Sequence, residues 1–174
     1  MQTYVAQPCS RRDLRRLAMG IRLKLGLEDS LYFPVVQLLE LMSAIFPRFH
    51  FEIVEDGELP PGVHADTDVE NHIVRIMQSV YDGACAGSGR DRMTIAHEIG
   101  HYLLLCVWGF RFQRNFAGNA VPTCQDPEWQ AKCFAGELLV AAHLTGHMSP
   151  KAIAVVCGVS LLAAQTQWRK LRAK

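Results

Sequence analysis

Six cysteines occur in this chain of 174 residues, yet none forms a CxxC pair and no short regular spacing relates them. A disulfide framework is therefore not expected. Cys9, Cys85, Cys106, Cys124, Cys133 and Cys157 read instead as reduced, buried thiols, Cys106 standing within Leu-Leu-Leu-Cys-Val-Trp. Excess charge of one sign is also lacking. A formal net charge of +1 gives no strong global field, so a nucleic-acid role would need a local basic patch. No apolar run approaches the length of a membrane span. Met1 to Ser10 is mixed and polar, with arginines where the apolar part of a secretory signal belongs. The expectation is a cytoplasmic protein that does not engage a membrane. Internal repeats and low-complexity tracts are missing too. What is present, 49% hydrophobic and 20% charged residues, suits a globular domain able to bury a core.

From Ser10 to Gly26, Leu14, Leu17, Ala18, Ile21 and Leu25 recur at helical spacing, with Arg11, Arg12, Arg15, Arg16 and Arg22 gathered on the other side. This predicts an amphipathic helix whose basic face is a solvated surface. A second helix is expected from Pro34 to Phe46, ahead of Pro47. The pattern then changes to β-type runs at His50 to Val54 and His72 to Met77, with a short strand possible at Gly62 to Ala65. Tyr81 to Arg90, containing three glycines, reads as a loop. Asp91 is a plausible N-cap for a helix running to about Trp108. About seventeen residues of little periodicity follow Gly109, a length that suits a wall of a substrate cleft. Asp126-Pro127 opens a helix from Glu128 to about Ala142. Ser149-Pro150 opens another from Lys151 to Cys157, Gly158 breaks it, and Ser160 caps a last helix to Arg172. The class expected is α+β, mainly helical, with a small, mainly antiparallel three-stranded sheet and a C-terminal pair like a helix-turn-helix.

Residues 93–108 are apolar almost throughout, which marks a helix buried on most sides. Its polar exceptions share one sector. With His97 at zero, His101 falls near about 40°, Thr94 near about 60° and Glu98 near about 100° at 3.6 residues per turn. His97-Glu98-Ile99-Gly100-His101 is an HExxH pentad, the arrangement in which two imidazoles reach one zinc ion with a carboxylate beside them. Without a cation these polar groups would each lack partners in an apolar setting, at a cost of about 1 to 3 kcal/mol apiece.

Catalytic zinc takes three protein ligands and leaves a position for water. Candidates for the third are Glu128, Glu137, Asp126, His143 and His147. On the helix after Pro127, Ala131, Phe134, Ala135 and Leu138 form the core-facing stripe; Glu128 lies at its edge, whereas Glu137 and Gln130 point away. Glu128 is the better ligand by orientation, although Lys132 at i+4 offers it a surface ion pair. His143 and His147 flank a glycine in a turn and read as exposed.

Arg90-Asp-Arg-Met-Thr-Ile-Ala-His-Glu-Ile-Gly-His101, followed by Glu128-Trp-Gln-Ala-Lys-Cys-Phe-Ala-Gly-Glu-Leu-Leu-Val140, resembles the ImmA/IrrE-type metallopeptidases. These are zinc-dependent, gluzincin-like proteases. The resemblance implies a zincin-like metallopeptidase domain over residues 1–148, with a C-terminal helical appendage over residues 149–174 packed on it. It also implies that Glu128, from the family's E-x-x-A-N-x-F-A-x-x-L-L pattern, is the third ligand. Lys132 replaces the usual Asn, Val140-Ala141 stands where Met-Pro is common, and Leu105 where many members have another His.

With His97, His101 and Glu128 holding Zn²⁺, Glu98 is the expected general base. Tyr81, His72, Tyr102 and His143 are candidates for oxyanion stabilisation, and Arg90 and Arg92 for ion pairs that anchor the loop before the helix. The family implies a helix-turn-helix transcriptional repressor as substrate, and release of stress-response or mobile-element genes. Two rivals stand beside this. One is DNA binding through Lys151 to Lys174, disfavoured because the basic residues close the last helix rather than open it. The other is a zinc-containing regulator that binds a repressor without cutting it, within a toxin-antitoxin association or outside one.

Overall fold

The computed structural model of the chain describes residues 4–107, 113–114 and 121–172. Ser10 starts the first helix, α1 (Arg11–Lys24), through a capping box with Asp13. The solvated basic face expected of α1 is corrected. Arg12 and Arg16 are exposed, but Arg11 and Arg15 reach the carboxylate of Glu137 at 2.6 and 2.7 Å, and Arg22 is fully buried. Arg22 donates to the carbonyls of Leu138, Leu27 and Ser30 and lies over the Phe33 ring. The reason is that α1 packs along α5 (Pro127–Leu139), so part of its polar side faces protein.

After α2 (Val35–Ile45) come three strands, β2 (His50–Val54), β3 (Ala65–Asp68) and β4 (Ile73–Met77). They form the expected small sheet, in the order β2-β4-β3. Its pairing departs from the antiparallel expectation: β3 and β4 form an antiparallel pair, but β2 and β4 run parallel, His50 opposite Ile73 and Val54 opposite Met77. Burial explains why β4 is the central strand. Val74, Ile76 and Met77 are buried, whereas β2 shows most of its residues to solvent, so the apolar strand takes the centre and needs a neighbour on both sides. Three residues of β3 lie beyond the short strand expected at Gly62 to Ala65.

The segment expected as a glycine-rich loop contains a helix, α3 (Gln78–Cys85), because Val80 and Ala84, one turn apart, face the core. The HExxH helix, α4 (Gly89–Tyr102), starts after Ser88 rather than at Asp91 and passes into one π-helical turn over Leu103–Val107. Trp108 and most of the stretch proposed as a cleft wall lie outside the described residues. Within that stretch, β5 (Gln113–Arg114) pairs antiparallel with β1 (Tyr4–Val5). The chain then enters α5 through Asp126, whose carboxylate accepts from Glu128 N. The helix stops at Leu139, short of Ala142, where the four-residue α6 (Ala142–Thr145) begins. Two capped helices end the fold, α7 (Pro150–Cys157) and α8 (Leu161–Arg172), joined at Gly158, whose φ of 61° puts it in the left-handed region. Ile153, Cys157, Val159 and Ala164 share one hydrophobic core with Leu14, Phe33, Val74, Ile95 and Phe134, so the C-terminal pair is part of that core. Among the cysteines, Cys9, Cys133 and Cys157 are buried as expected, while Cys85 and Cys124 are exposed. No described helix is long and apolar enough to cross a membrane.

Arg92 ties the C-terminal pair to the rest. It lies within α4, not in a loop, and its partners are not the carboxylates expected of an ion pair. The buried guanidinium donates to the carbonyls of Gly158, Phe33 and Cys157 and to the Tyr32 hydroxyl, and sits 3.9 Å above the Tyr32 ring centroid. Arg90, exposed, meets His64 instead. Burial lowers the Arg92 pKa, yet the group stays charged because carbonyl dipoles and the ring face replace its water. Replacing Arg92 by Met removes these donors and strands buried carbonyls. The expected loss is about 2 to 4 kcal/mol, read as a lower urea midpoint at unchanged slope.

Candidate metal centre

Two neighbouring helices build the site. On α4, His97 and His101 lie one turn apart with ring centroids at 4.5 Å. Glu128 comes from the first turn of α5, which crosses directly over them. What lets α5 come so near is Gly100, between Glu98 and His101. A Cβ there would stand 3.0 Å from Phe134 Cδ1 and 3.3 Å from the Ala131 backbone. A glycine inside the pentad thus sets the spacing of the helices that hold its histidines and their acidic neighbour.

His97 Nε2 and His101 Nε2 are 3.0 Å apart, and the Glu128 carboxylate lies 3.4 Å from the first and 3.1 Å from the second. The chemistry of this donor set fits a cation. Three groups each turn one ligand-type atom toward one point; of the two facing nitrogens only one can hold a proton toward the other, and the carboxylate has none to give. A tetrahedral zinc with bonds of about 2.0 to 2.2 Å would separate its ligand atoms by about 3.3 to 3.5 Å, close to the observed edges. Hydrogen bonds from His101 and then His97 hold the Glu128 carboxyl well below the ordinary carboxylate range. His97 Nδ1 is buried without a hydrogen-bond partner among the described residues, leaving its tautomer to be set by what its Nε2 meets.

Glu98, the neighbour of His97 on α4, is 5% exposed. Its carboxylate accepts a 2.7 Å hydrogen bond from Thr67 Oγ1 on β3. Sequence reasoning missed Thr67: it sits 31 residues from Glu98 on a strand of unremarkable pattern, and only the sheet's placement against α4 could have found it.

The other candidate ligands are not brought to this point. Asp126 caps α5, and His143 and His147 are exposed, His143 meeting the Glu28 carbonyl. Glu137 and Gln130 do not point away from the core as expected. Both are buried, Glu137 between Arg11 and Arg15, Gln130 donating to the carbonyls of Gln7 and Cys124. The error came from giving α5 one buried face, when neighbours cover it on several sides. Of the oxyanion candidates, Tyr81 donates to Glu40, and His72 and Tyr102 contact each other at 3.3 Å. None of the four hydrogen-bonds His97, Glu98, His101 or Glu128.

No protein-family model matches the chain, and no curated protein is similar to it in sequence. Among solved structures it is similar to a Mycobacterium tuberculosis transcriptional regulator, with a TM-score of 0.58 at 15% identity over 90% of this chain. That likeness concerns the fold, and the chain spans 46% of the regulator's length.

Two outcomes follow from the geometry. Gly100→Ala sets a helix-propensity gain of up to about 1 kcal/mol against an overpacking cost of about 1 to 3 kcal/mol. Stability should thus fall by up to about 2 kcal/mol, while displacement of α5 weakens zinc binding about tenfold or more, measured by competition with a chromophoric chelator. Lys132 lies 3.8 Å from Glu128, with both side chains mostly exposed. Such a pair is worth at most about 1 kcal/mol, so Lys132→Ala should shift zinc affinity by less than about fivefold in the same assay.

Proposed function

We propose that this chain is a zinc-dependent endopeptidase whose substrate is a protein of the helix-turn-helix repressor type, and whose action relieves repression of stress-response or mobile-element genes. The observation that carries the reading is the position of Glu98: a buried carboxylate, oriented by Thr67, beside three convergent metal-type donors. His97, His101 and Glu128 would hold the ion. Bound there, zinc would supply Lewis acidity to a water and to a peptide carbonyl.

The chain's own residues do the rest. Glu98 accepts a proton from the attacking water as its oxygen bonds to the carbonyl carbon. It then returns that proton to the amine nitrogen as the C–N bond breaks. Burial and the single hydroxyl contact keep the carboxylate in one rotamer through both transfers. β3 is an edge strand, so its outer backbone groups are open to an extended peptide laid alongside it. The same strand carries Thr67, which would couple the docking of a peptide to the orientation of Glu98.

A second reading is favoured by the one structural likeness described, to a protein named as a transcriptional regulator. In it the chain keeps zinc and inactivates a repressor, or meets DNA, without cutting. Glu98→Gln separates the two. Under the peptidase reading the variant retains its zinc content but loses cleavage of a co-expressed repressor, by about a hundredfold or more. Repressor inactivation that survives in a zinc-replete Glu98→Gln protein overturns the peptidase. Thr67→Val should retain zinc and lower kcat more than KM, since it removes only the hydroxyl that orients Glu98.

A further inference from the structure

A groove of about 620 Å³ opens beside His97 between α4, α5 and α8. Its size lies in the range of sites that enclose a ligand. Met93, Trp129 and Ala135 line it, together with Leu162 and Ala163 of α8. Leu162 is 72% exposed, and Leu161 beside it 45%, so the groove continues onto an apolar shoulder at the start of α8.

The charges around it are of one sign. Arg11, Lys132 and Lys170 border the groove and no Asp or Glu does. Arg11 is spent on Glu137 and Gln167. Lys132 has only its loose contact with Glu128, and Lys170 forms no ion pair among the described residues. An apolar floor with the unpaired Lys170 ammonium and the loosely engaged Lys132 at its rim complements one kind of occupant, an apolar side chain flanked by carboxylates. Duplex DNA is a poor fit, because the Leu and Ala side chains of the first turn of α8 offer phosphates no donor.

We infer that this groove is a substrate-recognition site, taking a bulky apolar residue of a peptide flanked by acidic residues and holding that segment next to the candidate metal centre. The inference rests on the peptidase reading for its place in the reaction, but the groove is a binding site in its own right. It gives the C-terminal helical pair a role: α8 is one wall of the site, with Leu162 selecting apolar bulk and Lys170 selecting negative charge.

Short fluorescein-labelled peptides with a central Leu or Phe, flanked either by Glu or by Lys, test this by fluorescence anisotropy on zinc-loaded Glu98→Gln protein. The acid-flanked set should bind about tenfold more tightly, as expected of two partly exposed charge contacts, and the difference should shrink with added salt. Lys170→Glu should abolish or reverse the preference. Leu162→Ser should weaken the Leu and Phe peptides several-fold relative to Ala-centred controls. Both positions are exposed, so an unchanged urea midpoint will show that the variants fold. Equal binding of the two sets, a preference that survives Lys170→Glu, no peptide binding at all, or tighter binding of a labelled DNA duplex would each overturn the inference. Incubating the same peptides with zinc-loaded wild-type protein separates the two claims. Cleavage with no acidic or apolar preference upholds the peptidase and overturns the groove, while selective binding without cleavage does the reverse.

Discussion

The approach of α5 to α4 at Gly100 is the contact on which the candidate centre depends. A helix pair usually keeps a separation set by the side chains between the axes. Here hydrogen stands where a side chain would be, and Phe134 and the Ala131 backbone occupy the space. Glu128 is thereby placed over two rings one turn apart, and three electron-pair donors face a common point at 3.0 to 3.4 Å. In an uncharged pair of helices that convergence would be unfavourable. The packing around Gly100 imposes it, and a bound cation would resolve it.

Buried charge elsewhere follows a different rule. Glu137 carries its charge into the core against Arg11 and Arg15, whereas Arg22 and Arg92 are met by carbonyls rather than carboxylates. A guanidinium has several fixed donors, so one side chain can gather chain ends that have no regular partner. Arg22 takes the carbonyl of Leu138 near the end of α5, where the helix dipole favours a positive group. Arg92 takes those of Cys157 and Gly158 at the turn between α7 and α8. These two residues, with the shared apolar core, bind the first and last helices to the pair that carries the site.

Much of the site could be read along the chain because it depends on local phase. His97, Glu98 and His101 share a sector of α4 by helix geometry alone, and Asp126-Pro127 marks the start of α5 whatever packs against it. Caps at Ser149 and Ser160 were legible for the same reason: each bonds a backbone group within three residues. The misreadings share the opposite property. Glu137 finds its arginines 122 and 126 residues away, and Thr67 finds Glu98 across 31. The central place of β4 between β2 and β3 is likewise decided by which strand the core covers, not by any pattern within the strands it pairs with. Periodicity reports one buried face well, but it fails for a helix such as α5 that has neighbours on several sides.

That distinction bears on the C-terminal pair. α7, the Gly158 turn and α8 have the local form of a helix-turn-helix, and local form is what a sequence displays. In such motifs the residues that open the second helix reach base edges. Here they are Leu161 and Leu162, both exposed and neither able to donate to a base or a phosphate. The basic residues Arg169, Lys170 and Arg172 fall in the last turn, where they complement the helix dipole, and Arg172 is already engaged with the Gly146 carbonyl and the Trp168 ring. Gln167, nearer the middle, is buried against Arg11. The side chains that open α8 are therefore apolar, and the exposed leucines lie along the groove that begins at His97.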